Sequence, residues 1–327
     1  MHLPELPDVL DTLRVVALPM AVRFRGVDTR EAALFEGPEG WTEFSPFVEY
    51  DDAEASAWLA GALDYGWRAT PPTVRDRIHV NATVPAVPAT DVPGVLARFD
   101  GCRTVKVKVA ERGQRPQDDI DRVRAVRAEL GPEARIRIDA NGGWNLDEAE
   151  RAIHAMNEFD LEYAEQPCAT IDELAELRYR IKYSGVLIAA DESVRKAEDP
   201  LAVARARAAD VVIVKAQPLG GLHRALAVVA EAGLPAVISS ALDTAVGIAM
   251  GTMLAGALPN LDFDCGLGTA SLIRDDVADA HVRGGVLPVG RISPDPAALD
   301  RLAADAERTQ WWRERITRCH TLLSERV

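Results

Sequence analysis

The sequence predicts a two-part α/β protein: a small α+β unit, a parallel (β/α) barrel, and a helical tail returning to the first unit. Three observations predict it. Strand-like runs and turns crowd residues 13–46. From Ile78 onward, eight short apolar runs alternate with helix starts. After Pro288 the pattern is again mostly helical. The expected boundaries are a capping unit over 1–76, a barrel over 77–286, and a returning segment over 287–327.

In the first unit, residues 13–23 and 30–35 read as strands, Gly37-Pro38-Glu39-Gly40 as a turn, and residues 41–44 as the returning strand. A helix is expected over 53–65, with Ala57, Leu59, Ala60 and Leu63 along its apolar stripe. The short turn at 23–29 leaves little length for a mobile cover over any site. The barrel strands are expected at 78–83, 105–109, 136–140, 161–165, 187–191, 211–215, 236–240 and 261–264. Asn145 with Glu148 and Thr170 with Glu173 have capping-box spacing. Asp199-Pro200 pairs a cap with a first-turn proline, and Gly233 ends the helix that begins near Leu222. Strand alternating with helix this many times indicates a barrel. An open doubly wound sheet would carry a glycine-rich phosphate loop after its first strand, and Asn81-Ala82-Thr83-Val84-Pro85 is no such loop. Helices at 297–308 and 311–323 are expected to pack back on the first unit.

Of 327 residues, 48% are hydrophobic and 27% charged, ordinary for a globular protein. The formal charge of −14 argues against nucleic acid and anionic membranes as partners. No run of about 18 apolar residues offers a membrane span, and the first residues lack the basic-then-apolar pattern of a signal peptide. A cytoplasmic location is expected. Cys102, Cys168, Cys265 and Cys319 lack metal or redox spacing and read as reduced thiols. Nothing in the sequence specifies an oligomer.

The chain holds five lysines, at 106, 108, 182, 196 and 215, and otherwise uses arginine for positive charge. Lys106, Lys108 and Lys215 fall in apolar strand-like runs, where a lysine is avoided unless paired or useful. Arginine stays protonated, whereas a partly buried lysine can lose its proton and act as a base. Acids stand at the ends of the intervening strands: Asp139, Glu165 and Asp191, separated by 26 residues at each step, with Lys215 24 further on. A near-constant step puts each residue at the same height on successive strands, on the catalytic face of a parallel barrel. Three carboxylates converging there repel unless a cation neutralises them, and a hard divalent ion with oxygen ligands, Mg²⁺ first and Mn²⁺ second, is the economical answer. Lys106 and Lys108 point the same way into the mouth, and Lys215 approaches from across the ring. Lysines facing each other over a cation suit proton abstraction next to a carboxylate.

These motifs, Lys106-Val107-Lys108, Asp139-Ala140-Asn141, Glu165-Gln166-Pro167, Asp191-Glu192-Ser193 and Lys215, resemble those of the enolase superfamily in its muconate-lactonising subgroup. The resemblance covers nearly the whole chain and implies a modified (β/α)7β TIM-like barrel with an α+β capping domain built from both termini. It implies Asp139, Glu165 and Asp191 as metal ligands, with Glu192 pointing away. Within the subgroup the sequence is most similar to the shorter, actinobacterial o-succinylbenzoate synthases, lyases of menaquinone biosynthesis. Its short length, its short first hairpin and the run Asp264-Cys265-Gly266-Leu267-Gly268-Thr269 carry that similarity.

The implied reaction is metal-dependent syn dehydration of the dicarboxylate 2-succinyl-6-hydroxy-2,4-cyclohexadiene-1-carboxylate through an enediolate. Lys108 is the implied base, Lys215 the group facing the intermediate, and Lys106 the neighbour that holds down the pKa of Lys108. Asn141, Ser239, Ser240 and Gly266 are expected at the substrate. The two serines precede a helix start, capped by Asp243 or Thr244, that suits the succinyl carboxylate. Gly142-Gly143-Trp144 is expected as a flexible wall over Asn141, with Trp144 itself read as ordinary packing. Asp262-Phe263-Asp264 resembles instead the paired aspartates that hold an α-ammonium in dipeptide epimerases. An N-acylamino acid racemase or dipeptide epimerase is therefore the alternative enzyme, and a non-catalytic metal-binding barrel the alternative of another class.

Overall fold

A computed structural model of the chain describes residues 3–24, 26–195 and 201–325. After a short helix α1 (Leu6–Leu10), three antiparallel strands follow in order: β1 (Arg14–Phe24), β2 (Val27–Gly37) and β3 (Gly40–Phe44). The tip of the β1–β2 hairpin pairs Phe24 with Val27. Helix α2 (Asp52–Trp67) starts at Asp51, whose carboxylate accepts from Glu54 N, satisfying an otherwise orphaned donor. The expected apolar stripe of α2 needs correction. Ala57 and Ala60 are only partly buried, while Ala55, Trp58, Leu59, Ala62 and Leu63 are buried. The helix is covered on more than one side, so its burial exceeds a single face.

The last helix, α12 (Ala306–Ser324), crosses α2 and completes this core. Trp312 stands edge-on to Phe44, with ring centroids 5.7 Å apart, and its Nε1 donates to Glu31 Oε2 at 2.8 Å. The helix expected over 297–308 is shorter: α11 (Pro296–Arg301) ends and α12 begins at the Asp305 cap. Between them Ala303 bridges to Val16, with Ala17 N donating to Leu302 O and Ala304 N to Val15 O. The sheet edge takes up this backbone, and that interrupts the helix.

The barrel sheet runs β5 (Ala82–Val84), β6 (Thr104–Lys108), β7 (Arg135–Asp139), β8 (Leu161–Glu165), β9 (Leu187–Ala190), β10 (Val211–Val214) and β11 (Ala236–Ile238). All are parallel and neighbours follow chain order. Helices α4 (Pro116–Leu130), α5 (Leu146–Met156), α6 (Ile171–Arg180), α9 (Leu222–Ala232) and α10 (Ala245–Ala257) form most of the crossovers, with shorter α3 (Val92–Leu96), α7 (Glu192–Arg195) and α8 (Ala202–Arg205). Asn145 and Thr170 cap α5 and α6 reciprocally with Glu148 and Glu173, and α9 ends at Gly233. Asp199-Pro200 lies outside the described residues.

Two strand expectations are corrected. The run 78–83 divides into β4 (Arg77–His79), which pairs antiparallel with β12 (Val286–Pro288), and the barrel strand β5. Residues 261–264 form no strand. The ring closes instead through Cys265, bridged to Val80, and Gly266, bridged to Ser239, both in the parallel sense. The alternation of Leu261-Asp262-Phe263-Asp264 has another cause: it plugs the foot of the barrel. Phe263 packs on Tyr163, and Asp264 accepts from Thr104 Oγ1 at 2.6 Å and Arg135 Nη2 at 2.9 Å, at the first residues of β6 and β7. All four cysteines are buried free thiols. Among the described residues no helix is long and apolar enough to cross a membrane.

Candidate active site

Parallel register builds the site. Lys108 pairs with Asp139 across β6–β7, and Asp139 with Glu165 across β7–β8, so these side chains stand side by side at the C-terminal ends of their strands. Asp191 and Lys215 each follow directly on the last residue of β9 and β10. Lys106, one layer deeper, reaches up to Glu165 Oε1 at 2.7 Å and Asp139 Oδ2 at 3.0 Å. Lys108 Nζ lies 2.5 Å from Asp139 Oδ2 and 2.7 Å from Asn141 Oδ1. Lys215 Nζ lies 2.5 Å from both oxygens of Asp191.

The electrostatics follow from burial and pairing. Burial opposes the charge of Lys106, but Glu165 and Asp139 overcome it and hold its pKa well above the ordinary lysine value. Lys108 goes the other way: burial, aided by repulsion from Lys106, outweighs Asp139 and lowers its pKa. Burial would raise Asp139, yet Lys108 and Lys106 keep it well below the carboxylate range. Asp191, also opposed by burial, is drawn down to about 2 by Lys215 and Arg195. Glu165 is pushed up to about 7 by burial and by Asp139.

Among the described residues no three acid, histidine or cysteine side chains form a ready-made metal cage, because each carboxylate is turned onto a lysine. The donor set nevertheless fits a hard divalent cation. Asp139, Glu165 and Asp191 are all buried, and Glu165 Oε2 has no hydrogen-bond partner. The raised pKa of Glu165 marks a cluster with too little positive charge around it. Glu192 bonds to Asn141 Nδ2 and Arg195 and does not line the cleft.

A cleft opens over this floor, walled by the barrel mouth and the capping unit. Asn141, Ser239, Ser240 and Gly266 all line it. Gly266 is required by close approach, since a Cβ there would lie 2.5 Å from Ser239 Oγ. The serine hydroxyls are already engaged: both point to Gly266 O, and Ser240 Oγ is 2.6 Å from Thr269 Oγ1.

The helix start expected to receive a carboxylate is corrected. Thr244, not Asp243, caps α10, and its Oγ1 accepts from Val246 N. Glu43 of β3 accepts from Thr244 N and Gly247 N, and Asp276 accepts from Ala245 N. The first N–H groups of α10 are filled by the protein's own side chains, leaving none for a ligand. Trp144 packs against the core, its N donating to Pro167 O.

The capping unit supplies walls that sequence reasoning missed: Phe24 at the hairpin tip, Phe47, Tyr50 and Trp58, with Arg195 from α7. Phe24 lies over Lys108, 5.4 Å from Nζ to the ring centroid, so the short hairpin still reaches the site. For Phe47, Tyr50 and Trp58 the sequence signal is an unusual density of aromatics over 41–67. Arg30 of β2 ties the two units together by donating to Leu242 O and Ala241 O beside Ser240. Asp262 is exposed and Asp264 is held at the foot, so neither projects into the mouth where an α-ammonium would sit.

Comparison with known proteins identifies the family. The family described as "Enolase C-terminal domain-like" matches residues 95–290, and "Enolase N-terminal domain-like" matches residues 15–66. The o-succinylbenzoate synthase of Mycobacterium tuberculosis (strain ATCC 25618 / H37Rv) is 57% identical over 323 residues, covering 98% of this chain and 97% of the relative. The chain belongs to the o-succinylbenzoate synthase family of the enolase superfamily. Members of the enolase superfamily bind divalent metal ions, typically Mg²⁺. Among solved structures, muconate lactonizing enzyme from Pseudomonas putida superposes with a TM-score of 0.73 at 18% identity, covering 89% of this chain and 98% of that one. The L-Ala-D/L-Glu epimerase of Bacillus subtilis gives 0.72 at 22%, covering 86% and 96%. These two show the enolase-superfamily fold and nothing finer.

Proposed function

We propose that the cleft dehydrates 2-succinyl-6-hydroxy-2,4-cyclohexadiene-1-carboxylate to 2-succinylbenzoate, the o-succinylbenzoate synthase reaction of menaquinone biosynthesis. One arrangement carries the reading: a buried lysine with a lowered pKa, Lys108, faces Lys215 across the mouth, with three buried carboxylates between them.

In this reading the neutral amine of Lys108 takes the proton from the ring carbon next to the carboxylate, and the C–H electron pair moves into that carboxylate as an enediolate. The ammonium of Lys215 faces the developing negative charge, and its fixed position makes that charge less costly. Asp139, Glu165 and Asp191 would hold the divalent ion, Mg²⁺ or alternatively Mn²⁺, which when bound supplies further positive charge to the enediolate. The electrons then return to the ring and the C–O bond breaks. The departing hydroxide takes the proton that Lys108 carries, so water leaves from the face the proton left. Lys106, held protonated by Glu165 and Asp139, keeps its neighbour's pKa down throughout.

The test is direct. Purified protein with Mg²⁺ should convert the cyclohexadiene dicarboxylate to an aromatic product, seen as a change in ultraviolet absorbance. Dipeptides should exchange no α-hydrogen with deuterated solvent. Rapid exchange into a dipeptide with the cyclohexadiene untouched would overturn the assignment.

A further inference from the structure

We infer that the indole N–H of Trp58 receives the substrate's distal carboxylate, the one remote from the reacting carbon. The inference rests on the dicarboxylate reading above. A dicarboxylate brings two anions to the cleft, and the lysine–carboxylate floor accounts for one.

The second has few donors left. The start of α10 is closed by Glu43, Asp276 and Thr244, and the hydroxyls of Ser239 and Ser240 are taken by Gly266 O and Thr269. On the capping-domain wall Trp58 is 1% exposed, and its Nε1 has no hydrogen-bond partner among the described residues. An indole N–H can only donate, and burying it without an acceptor is costly. A carboxylate arriving in the cleft removes that cost.

An aromatic ring and a second donor lie beside this indole. The Tyr50 ring packs on Trp58 with centroids 6.1 Å apart, and the Arg195 guanidinium lies 5.9 Å from the Tyr50 ring. Arg195 Nε lacks a hydrogen-bond acceptor, although its guanidinium is paired with Glu192 Oε1 at 2.8 Å, Asp191 Oδ1 at 3.4 Å and Glu54 Oε1 at 3.6 Å. A buried, unpartnered donor recognises a carboxylate and leaves a methyl in the same place unrewarded.

Two ligands separate this from general packing. 2-Succinylbenzoate carries both carboxylates, and 2-butanoylbenzoate keeps the ring carboxylate and ketone but ends in a methyl group. Calorimetry with Mg²⁺ present should show Trp58→Phe weakening the diacid by about tenfold or more with no change for the monoacid. KM for the cyclohexadiene substrate should rise by the same factor. Equal weakening of both ligands, or no change for either, overturns the role of Trp58.

A second measurement needs only the unaltered protein. One of its six indole N–H resonances should move on adding the diacid and stay in place with the monoacid. No such difference also overturns the inference. If the unaltered protein neither binds the diacid nor dehydrates the cyclohexadiene, it is the proposed activity that fails. If it does both and Trp58→Phe behaves identically, only the Trp58 subsite fails.

Discussion

Lys106 and Lys108 converge on one oxygen of Asp139, at 3.0 and 2.5 Å. Lys106 has Glu165 as a second partner, and these acids hold its pKa well above the ordinary lysine value. For Lys108 burial is the larger effect and outweighs Asp139, with repulsion from Lys106 adding to it, so its pKa is lowered. The deeper lysine thereby reinforces what burial does to the shallower one.

Replacing the two mouth lysines should expose a division of labour. Lys108→Arg removes the proton acceptor, since guanidinium stays charged, and should lower kcat by about 10²- to 10⁴-fold. Lys215→Arg retains a fixed cation and should keep measurable dehydration. Steady-state rates of the two variants decide it; equal residual rates would point to a two-base exchange like that of a racemase.

Asp191→Asn should leave the far-ultraviolet circular dichroism unchanged and weaken Mg²⁺ binding by about tenfold or more, because an amide removes one of three charges facing the cation. Calorimetric titration with Mg²⁺ checks this. An unchanged affinity would take Asp191 out of the ligand set.

Asp264→Ala separates structure from recognition. Its carboxylate accepts from Thr104 and Arg135 at the barrel foot, so its loss should cost stability, about 1–3 kcal/mol, and leave kcat/KM unchanged. Thermal melts paired with kinetics test it. A collapse in kcat/KM without a lower melting temperature would return this residue to the substrate.

Asp243 gives a pH dependence of known sign. Burial and the neighbouring Glu43 push its folded-state pKa up to about 7, above the unfolded value of about 3.9. Its contribution to stability is therefore fully present below about pH 4 and is lost as pH rises through about 7. Between those limits the unaltered protein should lose more stability than Asp243→Asn, on the order of 1 kcal/mol or more. Melting temperatures of both proteins at pH 5 and pH 8 would reveal parallel behaviour if the group does not titrate in this window.

What could be read from the sequence was whatever one repeat imposes. Asp139, Glu165 and Asp191 recur at a constant step because each β/α unit is nearly the same length, and the lysines stand out because burial makes them costly there. Leu261-Asp262-Phe263-Asp264 alternates like an eighth strand, but that alternation serves to plug the foot of the barrel. Trp58 and Arg195 were missed for another reason. Their place in the cleft depends on how the capping unit docks on the barrel, through contacts such as Arg30 to Leu242 O, and no local pattern encodes that. The capacity of the α10 start was misjudged likewise, since Glu43 fills it from a strand some 200 residues earlier.

Trp312 has a consequence for how the enzyme comes into being. It closes the core begun by Val15, Phe44 and Trp58, yet the ribosome makes the whole barrel between them. A nascent chain can assemble the barrel's floor of lysines and carboxylates before the wall bearing Trp58 has its backing, since domains fold as they emerge. The mouth therefore acquires its roof only when the final helix is released. Premature termination within residues 306–324 should yield polypeptides whose wall bearing Trp58 lacks its backing and which hold their substrate by the floor alone.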